Sequence, residues 1–307
     1  MAKPRELRRR IRSVQNTRKI TKTMELVATS KLKRAQDRVV AARPYAGALA
    51  EVIGDLYTPG LAERFPLLRQ PASVRRVALI LITSNRGLCG AFNANLIREA
   101  RRRLEQLEAH GAQVDLHLVG KKGIGYFKFA RRPVASQRMD IGDRPTAAHA
   151  ADLAAPLLSQ FETASVDAVD LVFARFVSAV STPATVARVL PVTPPAAVGR
   201  SGGQAVGAAS QPTARPSARP SADYILKPSG DAILERLLPL YVRNQVYRAL
   251  VETAAAEHGA RRTAMKNATD SAGDMLEVLN RTFNRARQAQ ITQELAEIVG
   301  GAEALKG

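Results

Sequence analysis

From Pro4 to Leu56, apolar or small side chains return alternately every three and four positions: Leu7, Ile11, Val14, Thr17, Thr21, Met24, Ala28, Leu32, Ala35, Val39, Ala42, Ala46, Leu49, Ile53 and Leu56. Such spacing is the seam of a coiled coil. A second helical pattern runs from Asp231 to Leu305 with no stop signal, bulky at first through Leu234, Leu237, Leu238, Tyr241, Val246, Tyr247, Leu250 and Val251, then slim through Ala254, Ala255, Ala268, Ala272, Ala286, Ala289 and Ala302. At the helical rise per residue the two patterns extend roughly 80 and roughly 110 Å, more than a compact domain holds. Each stripe is too narrow and too rich in Ala and Thr to sustain a helix alone, so the two chain ends are expected to wind around each other as one thin rod. Pro44 predicts a kink or local break and Pro239 a kink, and Gly259 and Gly273 each weaken the second helix by about 1 kcal/mol relative to Ala.

Between the two patterns the periodicity changes. Val77 to Thr83 is a continuous apolar run, as in a buried parallel strand, and the loop Ser84-Asn-Arg-Gly-Leu-Cys-Gly90 leads into a helix from Ala91 to Ala109. Further strands are expected at Val114 to Val119, Val134 to Met139, Ala168 to Phe176 and Ala187 to Val192, with helices after Gly125 and from Thr146 to Phe161. This alternation predicts a mainly parallel sheet covered by helices. The chain therefore divides into an N-terminal rod helix over 1–57, an α/β domain over 74–192, a segment over 193–222 rich in Pro, Ala and Ser, and a C-terminal rod helix over 223–307. The third of these carries too little apolar bulk to offset its ordering entropy and is expected to be a flexible insertion.

Charge changes the picture. The chain of 307 residues carries a net charge of +19, and cations crowd the first helix, which implies an acidic partner: nucleic acid, an anionic membrane surface or a carboxylate-lined protein. No aromatic residue precedes Tyr45, so that helix lacks the stacking platforms of a single-strand binder. Cys89, the single cysteine, permits no internal disulfide, and the longest apolar run falls far short of a membrane span. A soluble cytoplasmic protein with no cleaved leader and no direct membrane insertion is expected.

Catalytic constellations are missing. The 84–90 loop matches neither phosphate-binding glycine fingerprint and reads as a tight turn built on Gly87 and Gly90. Cys89 reads as a buried small residue, His110, His117, His149 and His258 have no metal-ligand spacing, and the carboxylates read as solvated charge on helix faces. No active site, metal or cofactor is expected, which favours a mechanical or binding role.

Three stretches carry a resemblance: Ile11 to Lys31 with Ala35-Gln-Asp-Arg38 and Arg43-Pro-Tyr45; the loop Thr83 to Asn93; and Ala264-Met-Lys-Asn-Ala-Thr-Asp270 with Asn284 to Ala302, which contains Ile291-Thr292, Glu294, Glu297 and Gly301-Ala302. They resemble the γ subunit of F-type ATP synthase, the central rotor stalk, in its bacterial form. The resemblance implies an antiparallel coiled coil of the two terminal helices with a Rossmann-like α/β domain at its base, inserted in a hexamer of alternating α and β subunits. It further implies torque transmission between a membrane ring and that hexamer, with catalysis on the β subunits, at the cytoplasmic face of the bacterial inner membrane. By motif position, Lys19, Lys22 and Met24 match the neck facing the β lever, and Arg287, Gln288 and Thr292 match residues engaging a β loop. Tyr224 and Leu226 match positions facing the membrane ring, and the segment from Asn244 to Tyr247 matches one lying near the ε subunit. Lys227 stands where the family often has an acidic residue. Two rivals stay open at this point: a basic coiled-coil nucleic-acid binder, and a nucleotide-dependent enzyme built on the α/β domain.

Overall fold

The computed structural model describes residues 4–56, 60, 64–71, 73–192 and 230–304. Helix α1 spans Pro4–Leu56 and helix α5 spans Gly230–Ala304, 53 and 75 residues long. They lie antiparallel along the seam that the spacing predicts: Arg8 stacks over Phe283, with its guanidinium carbon 5.5 Å from the ring centroid, Thr269 meets Thr21, and Gly273 faces Arg18. Leu7, Ile11, Thr21, Ala28, Leu32, Ala35, Val39, Leu49 and Ile53 are buried, whereas Thr17 is exposed and does not join the seam.

Both prolines stay inside unbroken helices, so the chain does not break at Pro44. A proline removes one hydrogen bond, and here buried neighbours hold the flanking turns: Val39, Leu49 and Ile53 about Pro44, Leu238 and Val242 about Pro239. Asp231, in the first turn of α5, pairs with Arg64 at 2.5 Å.

The α/β domain contains β1 (Arg76–Ile82), α2 (Phe92–Ala109), β2 (Gln113–Val119), α3 (Lys121–Phe129), β3 (Ser136–Arg138), α4 (Ala147–Glu162), β4 (Ala168–Ala174) and β5 (Ala184–Leu190). The sheet order is β3-β2-β1-β4-β5, with β4–β5 the antiparallel pair and the other neighbours parallel. Helix α3 begins at Lys121, ahead of the expected start after Gly125, because the turn at Gly120 already sets its first residues. Gly120 is obligatory: its φ is +96°, and a Cβ there would stand 2.1 Å from the Thr83 carbonyl oxygen. That contact brings the ends of β1 and β2 together, where the Thr83 N–H donates to the Val119 carbonyl at 2.8 Å. Helix α4 opens with a capping box in which the Thr146 hydroxyl accepts from the His149 N–H and the Thr146 N–H donates to His149 Nδ1.

Every residue of β1 from Val77 to Ile82 is buried, with alternate side chains entering different cores. Ala78, Ile80 and Ile82 pack with α4, the start of α5, and Leu49 and Ile53 of α1. Leu79 and Leu81 pack with α2, α3, the middle of α1 and Val251, Ala255 and Ala256 of α5. The rod therefore contributes to both cores, which fixes the α/β domain to its lower half. No helix is long and apolar enough to cross a membrane among the described residues.

Candidate functional site

The joint between shaft and domain is built from α5. From Val251 to Gly259 every residue is buried, so this stretch presents no face to water. Such a segment has to satisfy its polar side chains internally. Glu252 accepts from the Phe176 N–H at 3.1 Å and from Arg248 at 2.7 Å, and the Thr253 hydroxyl accepts from the Ala174 N–H at 3.3 Å. Both backbone donors lie where β4 ends and the chain turns towards β5, so α5 caps that strand end. Arg261 donates to Glu257 at 2.6 Å and to the Gly87 carbonyl at 3.3 Å, which ties the turn after β1 to the same helix. Gly259 belongs to this joint too, since a Cβ there would sit 3.0 Å from the Ala179 carbonyl oxygen. Its cost in helix propensity accompanies a close approach that alanine would obstruct.

Helix α1 enters the joint from the other side. Lys31 pairs with Asp143, and Arg38 donates to the Asp143 carbonyl at 3.3 Å. Burial opposes ionisation of Asp143, but the Lys31 hydrogen bond and the charges of Lys31 and Arg86 outweigh it, and the carboxyl is held below its ordinary range. Burial pushes the Glu257 carboxyl up in spite of Arg261. Burial pushes His258 down to about 4, Arg261 adds to this and Asp143 opposes it. Neutral His258 suits its contact, because Nδ1 faces the Arg261 guanidinium at 3.4 Å and is placed to accept.

The expectation that the carboxylates are solvated charge on helix faces fails at Asp170, Glu252 and Glu257, which are buried. Asp170 on β4 is 0% exposed and is held by Arg103 of α2 at 2.6 and 2.8 Å and by Arg188 of β5 at 2.9 and 3.3 Å. Glu252 and Glu257 are buried in the joint. The signal for the latter pair was present in the run Ala254-Ala255-Ala256, whose small side chains mark a helix enclosed on all sides.

The expected contact residues fall into separate groups. Lys19 and Lys22 are exposed and line one groove between the rod helices together with Arg18, Asp270 and Glu277, and Lys22 pairs with Glu25 at 3.1 Å. Met24 is half-buried on the same stretch of α1. Arg287 lines a second groove with Arg5, Arg8, Phe283 and Ile291. Gln288 and Thr292 are exposed, with the Thr292 hydroxyl donating back to the Gln288 carbonyl at 3.0 Å. Asn244 and Tyr247 are half-buried about 60 Å from Arg287 along α5, and Tyr247 packs against both apolar cores. Tyr224, Leu226, Lys227 and the whole 193–222 segment lie outside the described residues.

In the turn after β1, the left-handed positions are Gly90, with a φ of 59°, and Leu88, with a φ of 62°, and not Gly87. The Ser84 N–H donates to Asn93 Oδ1 at 3.0 Å, while Cys89 is buried with its thiol pushed up by burial. The Ser84, Arg86, Gly87 and Cys89 carbonyls of this turn all accept internal hydrogen bonds. Among the described residues no group of His, Cys, Asp and Glu is arranged to hold a metal ion.

Beyond the groove that Ile291 shares with the start of α1, helix α5 continues without a partner among the described residues, and Leu295, Ile298 and Val299 are exposed there. Among the described residues the arrangement is a two-helix shaft with exposed lysines along α1, an exposed apolar end on α5 and a domain packed against its lower half.

A family model described as ATP synthase matches residues 3–305. The ATP synthase γ chain of Gemmatimonas aurantiaca is 60% identical over 307 residues, with 100% of both chains covered. That of Leptospira biflexa is 41% identical over 305 residues, covering 99% of this chain and 100% of its own. In fold, the chain is similar to the central stalk of the Tetrahymena thermophila mitochondrial ATP synthase, with a TM-score of 0.58, 24% identity, and 81% and 99% of the two chains covered. It is also similar to a chain of the Euglena gracilis mitochondrial enzyme, with a TM-score of 0.62, 20% identity, and 98% and 94% covered.

Proposed function

The chain belongs to the ATP synthase γ-chain family, and from that premise we propose that it is the central rotor stalk of a bacterial enzyme. It passes torque between a membrane ring and a hexamer of α and β subunits, in proton-driven ATP synthesis or ATP-driven pumping. Catalysis lies on the β subunits and not on this chain, and the complex sits at the cytoplasmic face of the inner membrane. The observation that carries this reading is the continuation of a 75-residue helix past the start of its 53-residue partner, leaving an exposed tip above a two-helix shaft.

A shaft of this shape acts by differential contact. Each orientation presents different side chains to the β subunits, stabilising one β conformation over another, so rotation shifts their populations in turn. Arg287, Gln288 and Thr292 engage a β loop near the tip, while Lys19, Lys22 and Met24 face the β lever at the neck. The exposed ammonium groups attract carboxylates without holding one geometry, which suits a surface that changes partner. Tyr224 and Leu226 face the ring, and Asn244 with Tyr247 lies by the ε subunit. The joint formed by Glu252, Thr253, Arg261 and Asp143 keeps the α/β domain from swivelling on the shaft. The nucleic-acid alternative finds no support in the family likeness.

Purification of the tagged chain from its own cells tests the assignment. Recovery in a stable complex with the α, β and ε subunits and the membrane ring is expected; a chain recovered free of them, or bound to nucleic acid in a salt-sensitive manner, overturns it.

A further inference from the structure

A cavity of about 600 Å³ opens outside the carboxyl ends of β1, β2 and β3, walled on its far side by the shaft. That size is within the range of small-molecule sites. Its floor is apolar, formed by Ile82, Val119, Ile141 and Leu250, and its rim carries Arg86, Lys121 and Arg144. The three carboxylates that reach it are already engaged from outside the lining: Asp140 by Arg138, Asp143 by Lys31 and Glu257 by Arg261. Among the described residues, no hydrogen bond or ion pair engages the guanidinium of Arg86 or of Arg144, or the ammonium of Lys121. Arg86 feels Asp143 and Glu257 through space, but among the described residues no carboxylate closes on any of the three cations, so their N–H donors stay open to an added anion.

We propose that this cavity binds a phosphorylated small molecule of nucleotide size, its phosphates on Arg86, Lys121 and Arg144 and its ring on the apolar floor. The backbone does not hold the phosphates. The N–H groups of Lys121, Lys122 and Gly123 at the start of α3 donate to Asn85 Oδ1, the Ser84 carbonyl and Thr83 Oγ1. Recognition therefore falls to the side-chain cations, and it weakens with salt.

The site has a mechanical consequence. Asn85 donates through Nδ2 to the Met139 and Ile141 carbonyls at 3.1 and 3.0 Å, so the loop bearing Asp143 and Arg144 is tied to the strand end that bears Arg86. Asp143 in turn is tied to Lys31 of α1, and Glu257 on the cavity wall belongs to α5. A ligand bridging Arg86 and Arg144 clamps the loop against both rod helices and stiffens the joint. The site is independent of rotation, so its failure would leave the stalk assignment untouched.

Calorimetric titration of the purified full chain with magnesium-free ADP and with adenosine tests the proposal. Saturable ADP binding is expected at millimolar or lower concentration, with adenosine about tenfold weaker or worse. The exposed pair Arg86→Gln and Arg144→Gln is expected to raise the ADP Kd about tenfold with an unchanged circular-dichroism melt. A control pair on the distal shaft, Arg9→Gln and Arg12→Gln, is expected to leave it unchanged. No saturation with ADP, equal binding of adenosine, or an equal loss in the distal pair would overturn the proposal; the last would mark the basic shaft as the binder.

Discussion

The Thr269 hydroxyl donates to the Thr21 hydroxyl at 2.8 Å across the buried seam of the rod, and Thr21 passes its own proton to the Arg18 carbonyl at 3.1 Å. The Met265 carbonyl also lies 2.8 Å from the Thr269 hydroxyl, so each threonine keeps an acceptor in its own helix, and what the pair adds to the seam is the one hydrogen bond that joins the two helices in this register. Thr269→Val is expected to cost about 1 kcal/mol. In urea denaturation, a double-mutant cycle with Thr21→Val should give a coupling of about 0.5 kcal/mol or more. Strictly additive losses would show that the two hydroxyls ignore each other.

Asp170 makes the opposite kind of buried contact, one charge between two. It is enclosed under Arg103 and Arg188, which reach it from α2 and β5. Asp170→Ala leaves two guanidinium groups facing an emptied site and is expected to cost about 3–5 kcal/mol. Replacing Arg103 and Arg188 by Met in the same chain should recover much of that loss. A single Asp170→Ala variant within about 1 kcal/mol of the parent in urea denaturation would contradict this account.

These contacts show what could be read along the chain and what could not. The seam of α1, the strands β1 and β4 and the mainly parallel sheet were legible, because a period of 3.5 and short apolar runs are local properties of the sequence. The uninterrupted passage of α1 through Pro44 was not, since the packing that carries the helix past a missing hydrogen bond comes from residues far away in sequence. Glu252 and Glu257 looked like surface charge for the same reason: the donor that satisfies Glu252 is the N–H of Phe176, 76 positions earlier. Among the contact residues, Lys19, Lys22 and Arg287 do line grooves of the rod, whereas the packing of Tyr247 into both cores depends on where α5 crosses the sheet.

His258 gives the joint a pH dependence. Its folded pKa of about 4 lies below the unfolded 6.5, so the native state refuses a proton that the unfolded chain accepts. Its contribution is present above pH 6.5 and is lost as the pH falls towards 4, by up to about 3 kcal/mol. Glu257, with its raised pKa, acts in the opposite sense, giving stability below its unfolded value that is lost as the pH rises. The difference between variants isolates the histidine: His258→Gln should flatten the decline between pH 6.5 and 4 in urea denaturation. An unchanged slope would remove His258 from the explanation.

Whether the shaft turns is decided at its neck. Met24 is half-buried on α1 beside the exposed Lys22, where a cysteine is reachable from outside, while Cys89 is buried and its thiol pushed up, so Cys89→Ser removes a weak background reaction. In that background, Met24→Cys is to be joined by a disulfide to a cysteine placed in the facing β lever of the assembled complex, and multisite ATP turnover measured before and after reduction. A rotor tethered at its neck cannot present its faces to three sites in succession, so the account predicts near-complete loss of turnover that reduction restores. Full turnover with the crosslink quantitatively in place would contradict it.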